Sequence, residues 1–274
     1  MHYPHTPATP ISIQLAFLRR TGTGPAVLTV EDSKLGARTS TIHVSLLQTS
    51  EKTGKLEVKV TGYVTVSPES AEVGISARTN WVLEPAVSGG SGVDGAVDLE
   101  ALGRTGRDGA WERVQAPFLE FRKATRHLEM FSPLRKQTSG DGKPPVIDQW
   151  ARFRSGGDPN GRWTNEALVY LADMFPGALQ GFDRMAASAQ GSTGSELDGK
   201  FWYPTVTLNI DLKKRLPAEG EEWLYSRVVS KAMRNGRMDI EVVVMDTRGE
   251  VVAVGGQVGL VLSASRNVGQ RQKL

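Results

Sequence analysis

Two stretches of this chain follow the same order of strand, basic residues, glycine turn and strand. That internal repeat limits the fold more than any other feature. The first copy has a strand ending in Leu18-Arg19-Arg20, a Gly/Pro loop, and a strand running into Ser33-Lys34. Gly36-Ala37-Arg38 comes next, then a strand over residues 41–47, a turn and a long last strand. The second copy ends its strand in Lys213-Lys214-Arg215, crosses a Pro/Gly loop and runs into Ser230-Lys231. Gly236-Arg237 then leads into a strand over residues 238–245, a turn and a last strand. Two four-strand units offset by about 195 to 200 residues imply a duplication.

The local patterns agree. Residues 11–18, 26–32, 40–48 and 56–67 are rich in β-branched side chains with partial alternation, and Gly22, Gly24, Gly36 and Gly54 punctuate them. Residues 146–154, 203–212, 222–230, 238–246 and 251–263 also read as strands, with Asp246-Thr247-Arg248-Gly249 as a hairpin connection. Between the copies, residues 88–95 are Gly/Ser-rich and read as a flexible linker. Residues 118–131 suit a strand or a short helix, and 138–145 and 191–199 read as loops. One helix is predicted over residues 165–175, with Thr164 as N-cap and Pro176-Gly177 as the stop. Leu168, Val169, Tyr170, Leu171, Met174 and Phe175 make it apolar nearly all round, so it should be buried on most sides.

A helix laid on a curved antiparallel sheet is the hotdog arrangement. The expected fold class is α+β, a tandem (double) hotdog with its central helix in the second unit. The expected division is an N-terminal unit with linker over 1–137 and a C-terminal unit over 138–274. The first copy shows no counterpart helix before Ile11. Its sheet would expose an apolar face unless residues 118–131 or another chain cover it, or the start has been lost.

Composition narrows the function. The chain contains no cysteine, which excludes disulfides, thiolate metal sites and a cysteine nucleophile, and fits an intracellular protein. A net charge of +3 with scattered basic residues argues against nucleic acid as partner, and suits a phosphorylated small ligand. No apolar run is long enough for a membrane span. His2, His5, His43 and His127 are too scattered for a metal site.

The residues resemble a known family. Phe17-Leu18-Arg19-Arg20 and Gly36-Ala37-Arg38-Thr39-Ser40 look like the first hotdog of type II acyl-CoA thioesterases. Leu171-Ala172-Asp173-Met174-Phe175-Pro176 is similar to that family's second-hotdog helix. Trp202-Tyr203-Pro204-Thr205 and Val254-Gly255-Gly256-Gln257-Val258-Gly259 resemble its following and last strands. The similarity covers about residues 11–67 and 146–266, and is greatest to the fungal thioesterase-like branch.

The resemblance implies hydrolysis of an acyl-CoA by a water held between Asp173, Thr205 and Gln257, with no cofactor. The physics suits these side chains. Burial and the negative end of the helix dipole would raise the Asp173 pKa towards that of a general base. Thr205 offers a hydroxyl that both donates and accepts, and Gln257 an amide that orients water without taking its proton. Thr207 is the alternative to Thr205, since two residues along a strand return to the same face. Each also has a plain structural reading: a capping aspartate, a strand threonine, a glutamine beside close-packed glycines. Gly256 and Arg237 are weaker substrate-binding candidates. Arg38 and Arg237 follow the repeat glycines and could touch phosphate or simply be solvated.

Three rival readings remain at this level. The chain could be a hotdog that binds an acyl ligand without hydrolysing it, a biosynthetic-pathway protein that has lost hydrolase activity, or a structural dimer partner. A hydratase is disfavoured because no histidine neighbours Asp173 in the sequence. Hotdog proteins often pair, so a homodimer is an open expectation. The expected location is cytoplasmic. Gln272-Lys273-Leu274 loosely resembles the peroxisomal Ser-Lys-Leu address.

Overall fold

Alternation in the second copy is realised residue by residue. Along Arg237–Met245, Met238, Ile240, Val242 and Val244 are buried, while Arg237 and Glu241 face outward. The computed structural model describes residues 8–77, 79–114, 123–133, 146–174 and 201–263. The first copy supplies β1 (Ala8–Phe17), β2 (Val27–Lys34), β3 (Ser40–Thr49) and β4 (Leu56–Pro68). The middle holds helix α1 (Leu99–Thr105), β5 (Arg107–Asp108), β6 (Trp111–Arg113) and β7 (Leu128–Pro133). Then come β8 (Val146–Phe153), helix α2 (Asn165–Ala172), β9 (Phe201–Trp202) and β10 (Thr205–Leu212). The chain closes with β11 (Leu224–Val229), β12 (Met233–Arg234), β13 (Arg237–Met245), β14 (Val251–Leu260) and β15 (Leu262–Ser263). Each strand predicted from the repeat is present, with ends moved by a few residues.

The duplication is visible in the pairing. Among the described residues one large antiparallel sheet runs in the order β2-β3-β4-β1-β10-β14-β13-β11-β8-β7-β6-β5, and β12 adds to β13. The first copy's order, β2-β3-β4-β1, is mirrored by β10-β14-β13-β11 in the second. The two copies meet along β1 and β10, with Gln14 opposite Asn209. The offset that lays Arg20 on Arg215 also lays Gln14 on Asn209, so equivalent residues pair with each other at a local two-fold axis. Asn235 and Gly236, with φ of 52° and 69°, make the tight β12–β13 turn.

The second copy is covered on both faces. On one side α2 packs against β13 and β14, in a core that includes Leu168, Leu171, Leu208, Ile240 and Val242. On the other, α1 joins Trp111, Phe131, Trp223, Tyr225 and Met245 in a second core. Neighbouring residues of β11, such as Leu224 and Tyr225, therefore enter different cores, and its pattern is almost wholly buried. Trp163 is fully buried in the first core, and its indole N–H donates to the Ala151 carbonyl at 2.9 Å.

Three expectations are corrected. Residues 88–95 are a hydrogen-bonded loop, not a free linker: Gly90 donates to Gly95 and Gly92 to Ala96, both at 2.9 Å. A Cβ on Gly90 would lie 2.0 Å from the Ala96 carbonyl oxygen, so the glycine there permits a close backbone approach. Helix α1 was not foreseen, although Asp98 caps its N-terminus through Ala101 N–H and Gly106 ends it at φ 80°. The described part of 118–131 forms a 3-10 turn, Lys123–His127, and then β7. It does not cover the first copy, because β7 pairs with β8 beyond the second. Leu28 and Val30 on the outermost strand β2 remain exposed, at 72% and 63%. The expected loops at 138–145 and 191–199, and the C-terminal tripeptide, lie outside the described residues. No helix among the described residues is long and apolar enough to cross a membrane.

Candidate active site

Helix α2 begins as its sequence predicts, with the Thr164 hydroxyl accepting from the Ala167 N–H. It ends earlier than residue 175. Asp173 N–H bonds to Tyr170 and Met174 N–H to Leu171, at 3.3 and 3.1 Å. These i to i+3 bonds tighten the final turn, and Asp173 becomes the C-cap with φ −106° and ψ 4°. The carboxyl therefore leaves the helix end instead of lying along its side.

Two strands bring the partners. Thr205 opens β10, and Gln257 lies in β14, directly opposite Leu208. Residues directly opposite across a ladder share a face, so Gln257 shares that of the core residue Leu208, beneath α2. Simple alternation would put both Thr205 and Thr207 on the other face. A β-bulge between Thr205 and Thr207, where the register against β14 shifts, removes that constraint for Thr205. The Thr205 hydroxyl lies 3.3 Å from Asp173 Oδ1 and 3.2 Å from Gln257 Oε1. Thr207 stays opposite Val258 and makes neither contact. The same-face argument for Thr207 fails at the bulge.

The amide of Gln257 is oriented from above. Its Nε2 donates to the Ala172 carbonyl at 3.0 Å, which leaves Oε1 turned to Thr205, and the side chain is only 4% exposed. Gly255 faces the same way, and a Cβ there would meet Ala172 Cβ at 3.9 Å, an ordinary van der Waals contact beneath α2. Gly256 faces the opposite side, between Asn209 and Glu241, where a Cβ would meet nothing within 4 Å. Arg237 is exposed beside the tight turn at the start of β13 and joins no contact of the cluster. Arg38 bonds to the Val73 carbonyl.

Sequence reasoning missed Gln149. It is fully buried on β8, and its Nε2 donates to the Met174 carbonyl at 3.3 Å and to Ser226 Oγ at 3.0 Å. Gln257 and Gln149 thus hold the carbonyls on either side of Asp173. A polar side chain within an otherwise buried strand was the available signal, since such a group must find partners. The neighbouring buried pair Asp148–Arg227, at 2.7 Å, also takes Tyr225, but lies in the row of alternate residues that faces away from α2.

Burial pushes the Asp173 carboxyl up to about 6, against hydrogen bonds from Thr205 and Gln257 that pull it down. Burial, helped by the Asp173 charge, holds Tyr170 up at about 12. Thr205 has one hydroxyl proton and faces two acceptor oxygens. A water, with two protons, can donate to both of those oxygens at once. Among the described residues no group of three or more metal-ligating side chains could hold an ion.

Comparison with known proteins covers most of the chain. Residues 98–261 match the acyl-CoA thioesterase C-terminal domain, and residues 1–67 match the N-terminal domain. The thioesterase-like protein TwmA of Talaromyces wortmannii is 32% identical, over 95% of this chain and 79% of that protein. Two solved structures share the fold. Acyl-CoA thioesterase II TesB2 from Mycobacterium marinum has a TM-score of 0.59 at 20% identity, over 93% of this chain and 81% of that one. A hot dog fold protein of unknown function from Alicyclobacillus acidocaldarius has a TM-score of 0.61 at 13% identity, over 95% and 81%. The tandem hotdog expected from the repeat is the fold observed.

Proposed function

The chain belongs to the acyl-CoA thioesterase family and is a thioester hydrolase, and on that premise we propose that it cleaves acyl-CoA to the free acid and CoA with a water held by Asp173, Thr205 and Gln257. The observation that carries this reading is the meeting of three side chains from three separate elements on one hydroxyl, beside a carboxyl poised at about 6. Asp173 takes a proton from the water as its oxygen attacks the thioester carbonyl carbon. The C–S bond then breaks, and the proton on Asp173 passes to the departing thiolate. Thr205 and Gln257 hold the water's remaining hydrogen-bonding positions, which fixes its direction of attack. No covalent acyl-enzyme is needed.

The test is thiol release from acyl-CoAs of increasing chain length, followed with a thiol reagent. The chain has no cysteine to add background. Hydrolysis that collapses in both Asp173→Ala and Gln257→Ala is the expected result, and the panel then gives the chain-length preference. A folded wild-type protein inactive on every acyl-CoA would overturn the proposal and favour an acyl-binding role.

A further inference from the structure

The repeat places a basic run at the end of the inner strand in each copy, and the two runs are used differently. In the second copy, Lys214 is tied to Asp246 and Glu250, and Arg215 to Glu72 at 2.9 Å. In the first copy, Arg20 forms no ion pair among the described residues and lies over the Trp202 ring, 5.9 Å from its centre. Arg19 and Arg20 open onto a cleft of about 930 Å³, also lined by the Gly22–Gly24 loop and by Lys52 and Lys59. Four cationic side chains line it against two carboxylates, Glu51 and Glu57, and Glu57 is already engaged by Lys59 at 3.1 Å. The loop is held in place from beneath. Gln48, 9% exposed, accepts from Gly22 N–H and donates to the Gly22 carbonyl, both at 3.0 Å.

This cleft lies beside the candidate active site. Strands β1 and β10 are antiparallel with Ala16 opposite Thr207, so the chain beyond Phe17 runs alongside the residues that precede Thr205. Trp202, under Arg20, is three residues from Thr205, at most about 11 Å of extended chain. An anion in the cleft would thus be tethered close to a thioester at Asp173.

We propose that this cleft binds the phosphate-bearing nucleotide end of the acyl-CoA, with Arg20 and Lys52 as its charge contacts. The inference rests on the acyl-CoA reading above and adds where the nucleotide is held. Arginine and lysine at an open cleft recognise phosphate oxygens by charge-assisted hydrogen bonds, which salt weakens.

Two measurements test it on the full chain. The first is titration calorimetry with adenosine 3′,5′-bisphosphate, which has no thioester. Binding that weakens with salt and is lost in the Arg20→Ala/Lys52→Ala double variant is expected; absence of binding to wild type would overturn the cleft. The second compares an acyl-CoA with the same acyl group on N-acetylcysteamine, which lacks phosphates. The double variant should raise KM for acyl-CoA by roughly tenfold or more, with kcat unchanged and the N-acetylcysteamine thioester unaffected. Equal changes for both substrates, or none for either, would overturn the proposal. If wild type hydrolyses neither thioester, the hydrolase reading fails, and the calorimetry alone decides the cleft.

Discussion

The two copies share strand order, pairing and even a bulge, yet only the second brings a carboxyl, a hydroxyl and an amide together beside that bulge. The register shift between Pro10 and Ser12 in β1 repeats that between Thr205 and Thr207 in β10. Read through these bulges, Pro10 stands where the second copy has Thr205, and Val64, opposite Ile13, stands where it has Gln257, opposite Leu208. Gly62 matches Gly255. The first copy presents neither hydroxyl nor amide at these positions, and the described helix that ends in an aspartate packs on β13 and β14 of the second copy. The shared parts are backbone features, which many sequences can satisfy. The differing parts are the side chains that could touch a water. The copies share a scaffold and differ at a few side-chain positions within it.

The sharpest way to break this contrast is to remove the second copy's carboxylate. Asp173→Asn should lower kcat for thioester hydrolysis by roughly 10²–10⁴-fold with the fold intact by circular dichroism; a smaller loss would remove Asp173 as the base. Next, the second copy can be made to resemble the first. Gln257→Val should cost roughly 10²–10³-fold in kcat, whereas Val64→Gln should leave kcat within about twofold, because its partners across the ladders are Ile13 and Ile42. Equal effects in both copies would show that the site is not confined to one.

The bulge can be tested by a paired substitution. Thr205→Val should lower kcat by about tenfold, the worth of a lost hydrogen bond, while Thr207→Val should change little, since it lies opposite Val258. The reverse order would restore Thr207 as the working residue.

The smallest effects concern pH and stability. Activity should rise with pH through about 6 as Asp173 ionises. The native state holds the Asp173 proton more tightly than the unfolded chain, whose carboxyl titrates near 3.8. Its contribution to stability is therefore full below that value and is lost as pH rises to about 6. Asp173→Asn should then raise Tm at pH 7, by the equivalent of at most about 3 kcal/mol, with the gain fading towards pH 4. Thermal denaturation of both proteins across that range checks it; a variant less stable than wild type at pH 7 would mean the ionised carboxyl is stabilising.

Much was legible in the chain itself. The β-branched runs and glycine turns placed the strands of both copies, because period-two burial is written in local composition. Thr164 and the apolar run after it placed α2. Asp173, Thr205 and Gln257 were named from a resemblance, and no local pattern could have brought them together. Residues 88–95 misled because glycine and serine serve equally in a free linker and in a loop folded tightly on itself. Helix α1 carried clear caps in Asp98 and Gly106, but its seven residues are too few for periodicity to register.

The sequence by itself determined the repeat, the alternation of its strands and the chemical character of the candidate residues, since these depend on neighbours a few positions apart. Only the tertiary structure decided that Thr205 and not Thr207 meets Asp173, that two buried glutamines hold the carbonyls around that aspartate, and that Arg20 faces a cleft while Arg215 is neutralised. Each of those outcomes turns on pairing between segments far apart in the chain, where a one-residue shift in register reverses the face a side chain presents.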